Sequence, residues 1–148
     1  MKKHALFLLC LFTTCFCGCK YIAMDYSNSM LTVRNNSSQK ITVLYSNSQP
    51  PTRRENNVEF YVSDNNYVEP DSTNTIYISG KSDAWHYYIS EGKEKKLFIY
   101  VFSVDEIKQY HGPVMNELIN TNKYLKVLNY TEEELTALNW QITYNNEK

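Results

Sequence analysis

The sequence predicts a mainly β fold, an antiparallel β-sandwich-like domain with two or three short helices in its C-terminal third. Three observations support this prediction. Several short segments alternate apolar and polar residues, which is typical of half-buried strands. Residues 97–102 are apolar without interruption, so this strand should be buried on both faces at the centre of the fold. Helix-capping signals follow that segment, beginning at Ser103.

Residues 31–89 contain five segments with the alternating pattern. In each segment, apolar residues at every second position would share one face of a strand. Turn-forming residues separate the segments, together with two loops at 46–57 and 67–71 and a hairpin connection at 91–93. The predicted strands are 31–33, 41–45, 58–62, 76–78 and 85–89.

The C-terminal third combines helices with strands. Ser103 and Glu106 have the spacing of a capping box, in which two side chains satisfy the first backbone N–H groups of a helix. Pro113 suits the first position of a second short helix, and Thr131 with Glu134 repeats the capping box ahead of a third. Strands are predicted at 124–128 and along the face formed by Trp140, Ile142 and Tyr144.

The start of the chain has the composition of a removable signal peptide. Lys2 and Lys3 precede a short apolar stretch that ends before Gly18 and Cys19. The stretch is shorter than the ~20 residues that a membrane-spanning helix needs. The residues before Cys19 resemble the lipobox of bacterial lipoproteins, and this resemblance implies cleavage after Gly18 and acylation of the Cys19 sulfur. The alternative is a non-lipidated signal that is cut nearby.

These features divide the chain into three parts and set its charge. Residues 1–18 are the predicted lipoprotein signal peptide, 19–30 a polar tether and 31–145 a single β-rich domain. Because two of the 15 basic residues lie in the signal, the mature chain carries fewer basic residues than its 16 acidic ones. An acidic chain argues against a nucleic-acid partner, which would require a basic surface.

The mature sequence contains no pattern typical of catalysis or metal binding. Three of the 4 cysteines lie inside the signal and Cys19 would be acylated, so no internal disulfide is expected. His86 and His111 lack neighbouring ligands at zinc-site spacing, and neither a calcium-loop spacing nor a Gly-x-Ser-x-Gly pattern is present. We therefore predict a non-enzyme with no catalytic residue, no metal site and no cofactor.

Aromatic residues are the compositional excess of this chain, which has 13 tyrosines and 2 tryptophans. They can fill β cores, stack on sugars or anchor a protein interface. Strand alternation places Trp85 and Tyr87 on a core face. Tyr61, Tyr77 and Tyr88 fall on the opposite faces of their predicted strands and are the candidate binding aromatics.

The C-terminal residues carry a family resemblance. Tyr124, Leu125 and Lys126, followed by the motif of Leu138, Asn139, Trp140, Ile142 and Tyr144, resemble the tail of small uncharacterised lipoproteins of Bacteroides and relatives. Val127 and Asn145 depart from that tail, where a basic residue and a proline are usual. The resemblance implies an envelope location and a mainly β fold, but no site. Asp71, Ser72 and Thr73 also resemble the short O-glycosylation sequon of Bacteroides envelope proteins, which makes Ser72 a candidate glycosylation site.

Three functional hypotheses follow. The first is a non-enzymatic envelope lipoprotein that binds another envelope protein or serves as a structural accessory. The second is a glycan-binding module that presents exposed tyrosines, and the third is a small hydrolase with a spatially assembled pair of carboxylates. An exposed aromatic stripe would favour the second hypothesis, and facing carboxylates in a cleft would favour the third.

The residues after Cys19 bear on location. Lys20 stands where an inner-membrane retention signal would place Asp, and residues 20–25 contain a single acid, Asp25. Surface-displayed Bacteroides-type lipoproteins have an acidic cluster at that place. We therefore expect a lipid anchor in the outer membrane, with the domain facing the periplasm rather than the cell surface.

Overall fold

The computed structural model describes residues 27–52 and 57–146. The predicted signal peptide, the lipidation site at Cys19 and residues 20–26 of the tether lie outside the described residues. The strands are β1 (Ser27–Asn35), β2 (Ile41–Ser46), β3 (Tyr67–Val68), β4 (Thr73–Ser79), β5 (Lys96–Ser103), β6 (Lys126–Thr131) and β7 (Gln141–Tyr144). The helices, numbered here in chain order, are α1 (Val58–Val62), α2 (Ala84–Glu91), α3 (Val104–Ile107), α4 (Met115–Asn120) and α5 (Glu132–Ala137).

The strands form two sheets, and this arrangement confirms the predicted mainly β class. One sheet has the order β4-β1-β7, with β1 antiparallel to β4 and parallel to β7. The other has the order β3-β2-β5-β6 and is antiparallel throughout. Three helices lie in the C-terminal third, as expected. Within the described residues, no helix has the length and apolar composition needed to cross a membrane.

The protein has three layers, because apolar residues cover both faces of the four-stranded sheet. Between the two sheets, alternate residues of β1, β2, β5 and β7 form one buried cluster, to which α2 and α5 contribute Trp85, Ile89 and Leu135. On the other face of the four-stranded sheet, β2 and β5 pack against α1, α3 and α4 in a second cluster. The sandwich therefore carries an additional helical layer on one side.

The uninterrupted apolar segment 97–102 lies where its composition predicts. It forms most of β5, which pairs with β2 on one side and β6 on the other. Leu97, Ile99 and Val101 point into the inter-sheet cluster. The intervening aromatic residues, Phe98, Tyr100 and Phe102, point into the helical cluster. Because both faces of this strand are packed against apolar residues, neither face carries polar side chains, and this explains the uninterrupted apolar sequence.

Two predicted strands are helices instead. Residues 58–62 form α1, with Val58 and Tyr61 buried, and residues 85–89 lie within α2, with Trp85 and Ile89 buried. Spacings of three and four residues place these pairs on one helix face. Tyr87, expected in the core, is therefore exposed.

Smaller differences concern the connections. The segment 91–93 leads from α2 into β5 and is not a hairpin, and the predicted loop 67–71 contains the short strand β3. β1 begins at Ser27, so residues 27–30 of the predicted tether belong to the first strand. The strand predicted at 124–128 runs over Lys126–Thr131.

The two predicted capping boxes have different outcomes. The Glu134 N–H donates to Thr131 Oγ1 at 3.2 Å, and the Thr131 N–H donates to Glu134 Oε2 at 2.8 Å, so that box is formed. Ser103 makes no side-chain cap hydrogen bond. It is the buried last residue of β5, and the N–H of Val104 donates instead to the carbonyl of Lys40 at 3.1 Å. The second predicted helix begins at Met115, shortly after Pro113.

Candidate functional site: an aromatic cleft beside the edge strand

A cleft of ≈ 420 Å³ opens beside β4, the edge strand of the three-stranded sheet. Its walls come from β4, from β2 and the loop that follows it, from α1, and from the C-terminal half of α2. The cleft volume is within the range of ~300–1,000 Å³ that is usual for ligand-binding sites. The lining residues are Val43, Tyr45, Ser46, Asn47, Pro51, Thr52, Asn57, Phe60, Tyr61, Asn65, Asn66, Asn74, Thr75, Ile76, Tyr77 and Tyr88.

Five aromatic side chains line the cleft. Phe60 on α1 and Tyr77 on β4 are 59% and 61% exposed, which is unusual for large apolar side chains. Tyr45, Tyr61 and Tyr88 complete the set. The exposed rings offer flat surfaces to a ligand, while the other three are held by the core.

Edge-to-face contacts fix the less exposed rings. The Tyr45 ring lies 5.5 Å from that of Tyr88 and 5.0 Å from that of the fully buried Trp85. The Phe60 ring meets that of Tyr61 at 5.2 Å. Such perpendicular ring pairs are favourable because the positive edge of one ring faces the negative face of the other. The inter-sheet cluster therefore supports Tyr45 and Tyr88, and the helical cluster supports Tyr61.

Asparagine amides hold the polar parts of the wall in place. Asn47 Nδ2 donates to the carbonyl of Tyr88 at 2.9 Å, which joins the loop after β2 to α2. Asn66 Nδ2 donates to the carbonyl of Phe60 at 2.9 Å, and Asn74 Nδ2 donates to the carbonyl of Asn65 at the same distance. These bonds connect α1, the turn after it and β4 into one fixed frame.

Charge is absent from the described lining of the cleft, which is limited to aromatic, aliphatic, amide, hydroxyl and proline side chains. Apart from its tyrosines, the described lining contains none of the side chains that usually act as a general acid or base. An anionic ligand would normally be held by Arg or Lys. The described lining is therefore suited to holding an uncharged molecule with both apolar faces and hydrogen-bonding groups.

The three candidate tyrosines all line this cleft, although strand alternation gave the correct exposure and secondary structure only for Tyr77. Tyr77 is exposed on β4, as expected. Tyr61 is only 9% exposed because α1 is a helix that turns it toward the core, so its predicted exposure is wrong. Tyr88 is half-buried against the inter-sheet cluster. Tyr45 and Phe60 were missed, since an alternating pattern assigns both of them to core faces.

Ser72 lies in the turn that leads into β4. It is half-buried, and its Oγ donates to the carbonyl of Pro70 at 3.2 Å. Its backbone carbonyl accepts the N–H of Asn35 at 2.9 Å, which ties the turn to β1. Glycosylation of Ser72 stays a prediction.

The two histidines among the described residues, His86 and His111, each lie beside a single carboxylate. His86 Nδ1 lies 2.7 Å from Glu132 Oε2, and His111 Nδ1 lies 3.4 Å from Glu59 Oε1. In the described ranges, no group of three or more His, Cys, Asp or Glu side chains could hold a metal ion. Each histidine therefore lies beside one exposed carboxylate of another part of the chain.

Comparisons of the sequence and the structure with known proteins found no similar protein. No protein-family model matches the sequence, no curated protein matches it, and no solved structure matches the fold.

Proposed function

We propose that this protein is a non-enzymatic lipoprotein of the cell envelope and that its aromatic cleft binds a neutral glycan. The observation that carries the proposal is the combination of five aromatic side chains with asparagine and hydroxyl groups and no charged group in the described lining. The lipid anchor at Cys19 and the outer-membrane, periplasm-facing location are parts of the same proposal and rest on the sequence.

Sugar chemistry fits this combination. A pyranose ring has C–H-rich faces, which pack against aromatic rings such as those of Phe60 and Tyr77. Its hydroxyl groups both donate and accept hydrogen bonds, and the amide side chains of the wall offer both functions. Neutral sugars need no counter-charge in the site.

A protein-binding accessory role, the first hypothesis from the sequence, has weaker support. Exposed aromatic residues also anchor protein interfaces, but here they line a concave cleft together with amide side chains. A flat apolar face would suit a protein partner better, because protein interfaces bury ~800 Å² on each partner.

A hydrolase is supported least by the geometry. A glycosidase needs two carboxyl groups that face each other across the bond to be cleaved. Asp64 and Glu69 line the neighbouring groove, and no carboxylate is among the described residues that line the cleft. Asp64 accepts a hydrogen bond from the Tyr67 hydroxyl at 3.2 Å, and Glu69 lies 2.8 Å from Lys40 Nζ.

Glycan binding is tested on the mature protein, purified from membranes in detergent. Titration calorimetry would measure the binding affinity for neutral oligosaccharides of glucose, xylose, mannose and N-acetylglucosamine. Phe60→Ala and Tyr77→Ala should each weaken the binding of a recognised glycan at least about tenfold, as expected for residues that anchor a ligand. Tyr87→Ala is the matched control, because Tyr87 is equally exposed, at 64%, but lies outside the cleft. An equal loss in the control, or no binding of any glycan, contradicts the proposal.

The anchor is tested separately. Cys19→Ala should block acylation and leave an uncleaved or soluble precursor, whereas the wild-type protein should partition into detergent with the added lipid mass. Proteinase added to intact cells should spare the domain if it faces the periplasm. Digestion of the domain while a periplasmic marker survives would place it on the cell surface.

A further inference from the structure

The aromatic cleft continues past Tyr77 into a second, shallower groove of ≈ 540 Å³. Three residues line both spaces, namely Asn65, Asn74 and Tyr77. We infer that the two grooves form one binding path and that its ligand is a neutral oligosaccharide chain rather than a single sugar. This inference rests on the proposed glycan-binding function and names its ligand class.

The second groove differs in chemistry from the first. Asp64, Glu69, Ser72 and Thr73 line it, so carboxylate and hydroxyl oxygens replace most of the aromatic rings. Each carboxylate can accept several hydrogen bonds, and the contacts with Tyr67 and Lys40 use only part of that capacity. These acceptors suit the hydroxyl donors of further sugar rings. They repel an acidic sugar, which would bring a second negative charge to the groove.

Hydrogen bonds hold the residues between the two grooves in place, so ligand binding does not have to order them. Asn74 Nδ2 donates to the carbonyls of Asn65 and Tyr67, each at 2.9 Å, and so holds the turn after α1 against β4. Thr42 Oγ1 donates to the carbonyl of Asn66 at 2.8 Å, which joins the same turn to β2. A preformed path reduces the conformational entropy that binding would cost.

Strand β4 sets the length of the path. Thr73 lines the second groove and Tyr77 stands between the two, and both side chains are exposed on the same strand. Their backbone separation is ~13 Å, because a strand rises by ~3.3 Å per residue. A ligand that contacts both Tyr77 and Thr73 must therefore be longer than one sugar ring.

The experiment compares chain lengths of one recognised sugar series, from the disaccharide to the hexasaccharide, with the detergent-solubilised mature protein. Wild type should bind the hexasaccharide at least about tenfold more tightly than the disaccharide, since one hydrogen bond to a charged group is worth about that factor. Asp64→Asn and Thr73→Arg should remove this gain and leave disaccharide binding unchanged. Gln141→Arg, at an exposed position on the opposite edge of the same sheet, is the control and should change neither affinity.

The outcomes separate this inference from the proposed function. If wild type binds both lengths equally, or if Thr73→Arg weakens both lengths equally, the extended path is wrong while glycan binding stands. Tight binding of oligogalacturonides, used as the acidic series, would overturn the neutral ligand class. If no sugar of any length binds, the proposed function itself fails and the inference fails with it.

Discussion

Glu59 joins the first turn of α1 to the loop before α4. Its two carboxylate oxygens lie 3.0 and 3.2 Å from the N–H of Gly112, which donates to them. In the same place the N–H of Val58 donates to the carbonyl of Gly112 at 3.0 Å. The Gly112 N–H, with a smaller contribution from His111, holds the pKa of Glu59 below its ordinary value. Because Phe60 is the next residue, this junction also positions one wall of the cleft.

The lowered pKa of Glu59 predicts a pH-dependent contribution to stability. A carboxyl whose pKa is lower in the folded state stabilises the fold above its unfolded pKa, and this contribution is lost as pH falls through the folded pKa. Wild type should therefore be more stable than Glu59→Gln at neutral pH, and the difference should shrink as the medium becomes acidic. Urea unfolding at a series of pH values measures this, and an NMR titration should give a Glu59 midpoint below its ordinary value. Glu91→Gln, at another exposed position, is the control. A constant difference between wild type and Glu59→Gln would contradict the prediction.

Gly92 allows the loop after β2 to approach the end of α2. A Cβ atom at this position would lie 2.4 Å from the carbonyl oxygen of Asn47 and 3.1 Å from the Asn47 Cβ. Asn47 lines the cleft and donates to the carbonyl of Tyr88. The need for glycine here is steric, since its φ of −68° is available to any residue.

Gly92→Ala should therefore move the cleft wall and destabilise the fold. We expect a loss of about 1–3 kcal/mol in the free energy of unfolding, which is typical of overpacking at a buried contact. Glycan affinity should fall as well, because the loop that carries Asn47 must shift. Glu91→Ala, at the exposed neighbouring position, should change neither quantity. A Gly92→Ala variant with wild-type stability would mean that the loop moves without cost.

At the scale of single elements, two helices end in the same way. In α5, the N–H of Trp140 donates to the carbonyl of Leu135 at 2.7 Å and the N–H of Asn139 donates to that of Thr136 at 3.0 Å. In α4 the equivalent bonds run from Lys123 to Leu118 and from Asn122 to Ile119. This is the Schellman pattern, and it requires a left-handed residue just after the helix. Asn122 and Asn139 provide it, with φ of 55° and 51°.

The left-handed asparagines predict opposite effects for two substitutions. Asn139→Gly should stabilise the protein by up to ~1 kcal/mol, because glycine adopts this conformation without a steric penalty. Asn139→Val should cost about 1–2 kcal/mol, the penalty for a residue with a Cβ in the left-handed region. Asn120→Gly, inside α4, is the control and should not stabilise. Thermal unfolding of the three variants measures these effects, and stabilisation by Asn120→Gly would argue against the conformational explanation.

The elements differ in how far the sequence could predict them. The segment 97–102 was predictable because an uninterrupted apolar strand requires partners on both faces. The segments 58–62 and 85–89 were not, because apolar residues at every second position in a five-residue window also satisfy helical spacing. Packing decides between the two, and it buries Tyr61 and leaves Tyr87 exposed.

The candidate site depends on contacts that no local pattern contains. Tyr61, Tyr77 and Tyr88 come from three separate segments, and only the packing of α1 and α2 around β4 brings them to one cleft. Tyr45 joins them because β2 lies in the opposite sheet. The composition shows the excess of tyrosine, but it does not show that these tyrosines line one cleft.

At the scale of the whole molecule, the central sheet depends on both of its neighbouring layers. Ile99 belongs to the inter-sheet cluster and Phe98 to the helical cluster, and both are almost fully buried. Each residue therefore reports on one interface of the same strand.

Ile99→Ala and Phe98→Ala should each lower the free energy of unfolding by about 2–5 kcal/mol, the usual cost of truncating a large buried side chain. Tyr61→Ala should also be costly, because this side chain lies in the helical cluster. Tyr87→Ala should stay within ~0.5 kcal/mol of wild type, as expected for a surface position. Urea unfolding measures all four. A large effect for Ile99→Ala alone would mean that the helical layer contributes little.

The position of β1 has a consequence for the order in which this protein can fold. β1 lies between β4 and β7, and Thr32 donates its N–H to the carbonyl of Trp140, which is 108 residues further along the chain. During synthesis β1 emerges before its two partners, and it cannot pair with β7 until the last of the described strands has been made. Pairing over so large a separation is slow. A chain cut short before Gln141 would leave one edge of β1 unpaired, and such an edge can pair with another chain. The three-stranded sheet can therefore be completed only after the chain has been made as far as β7.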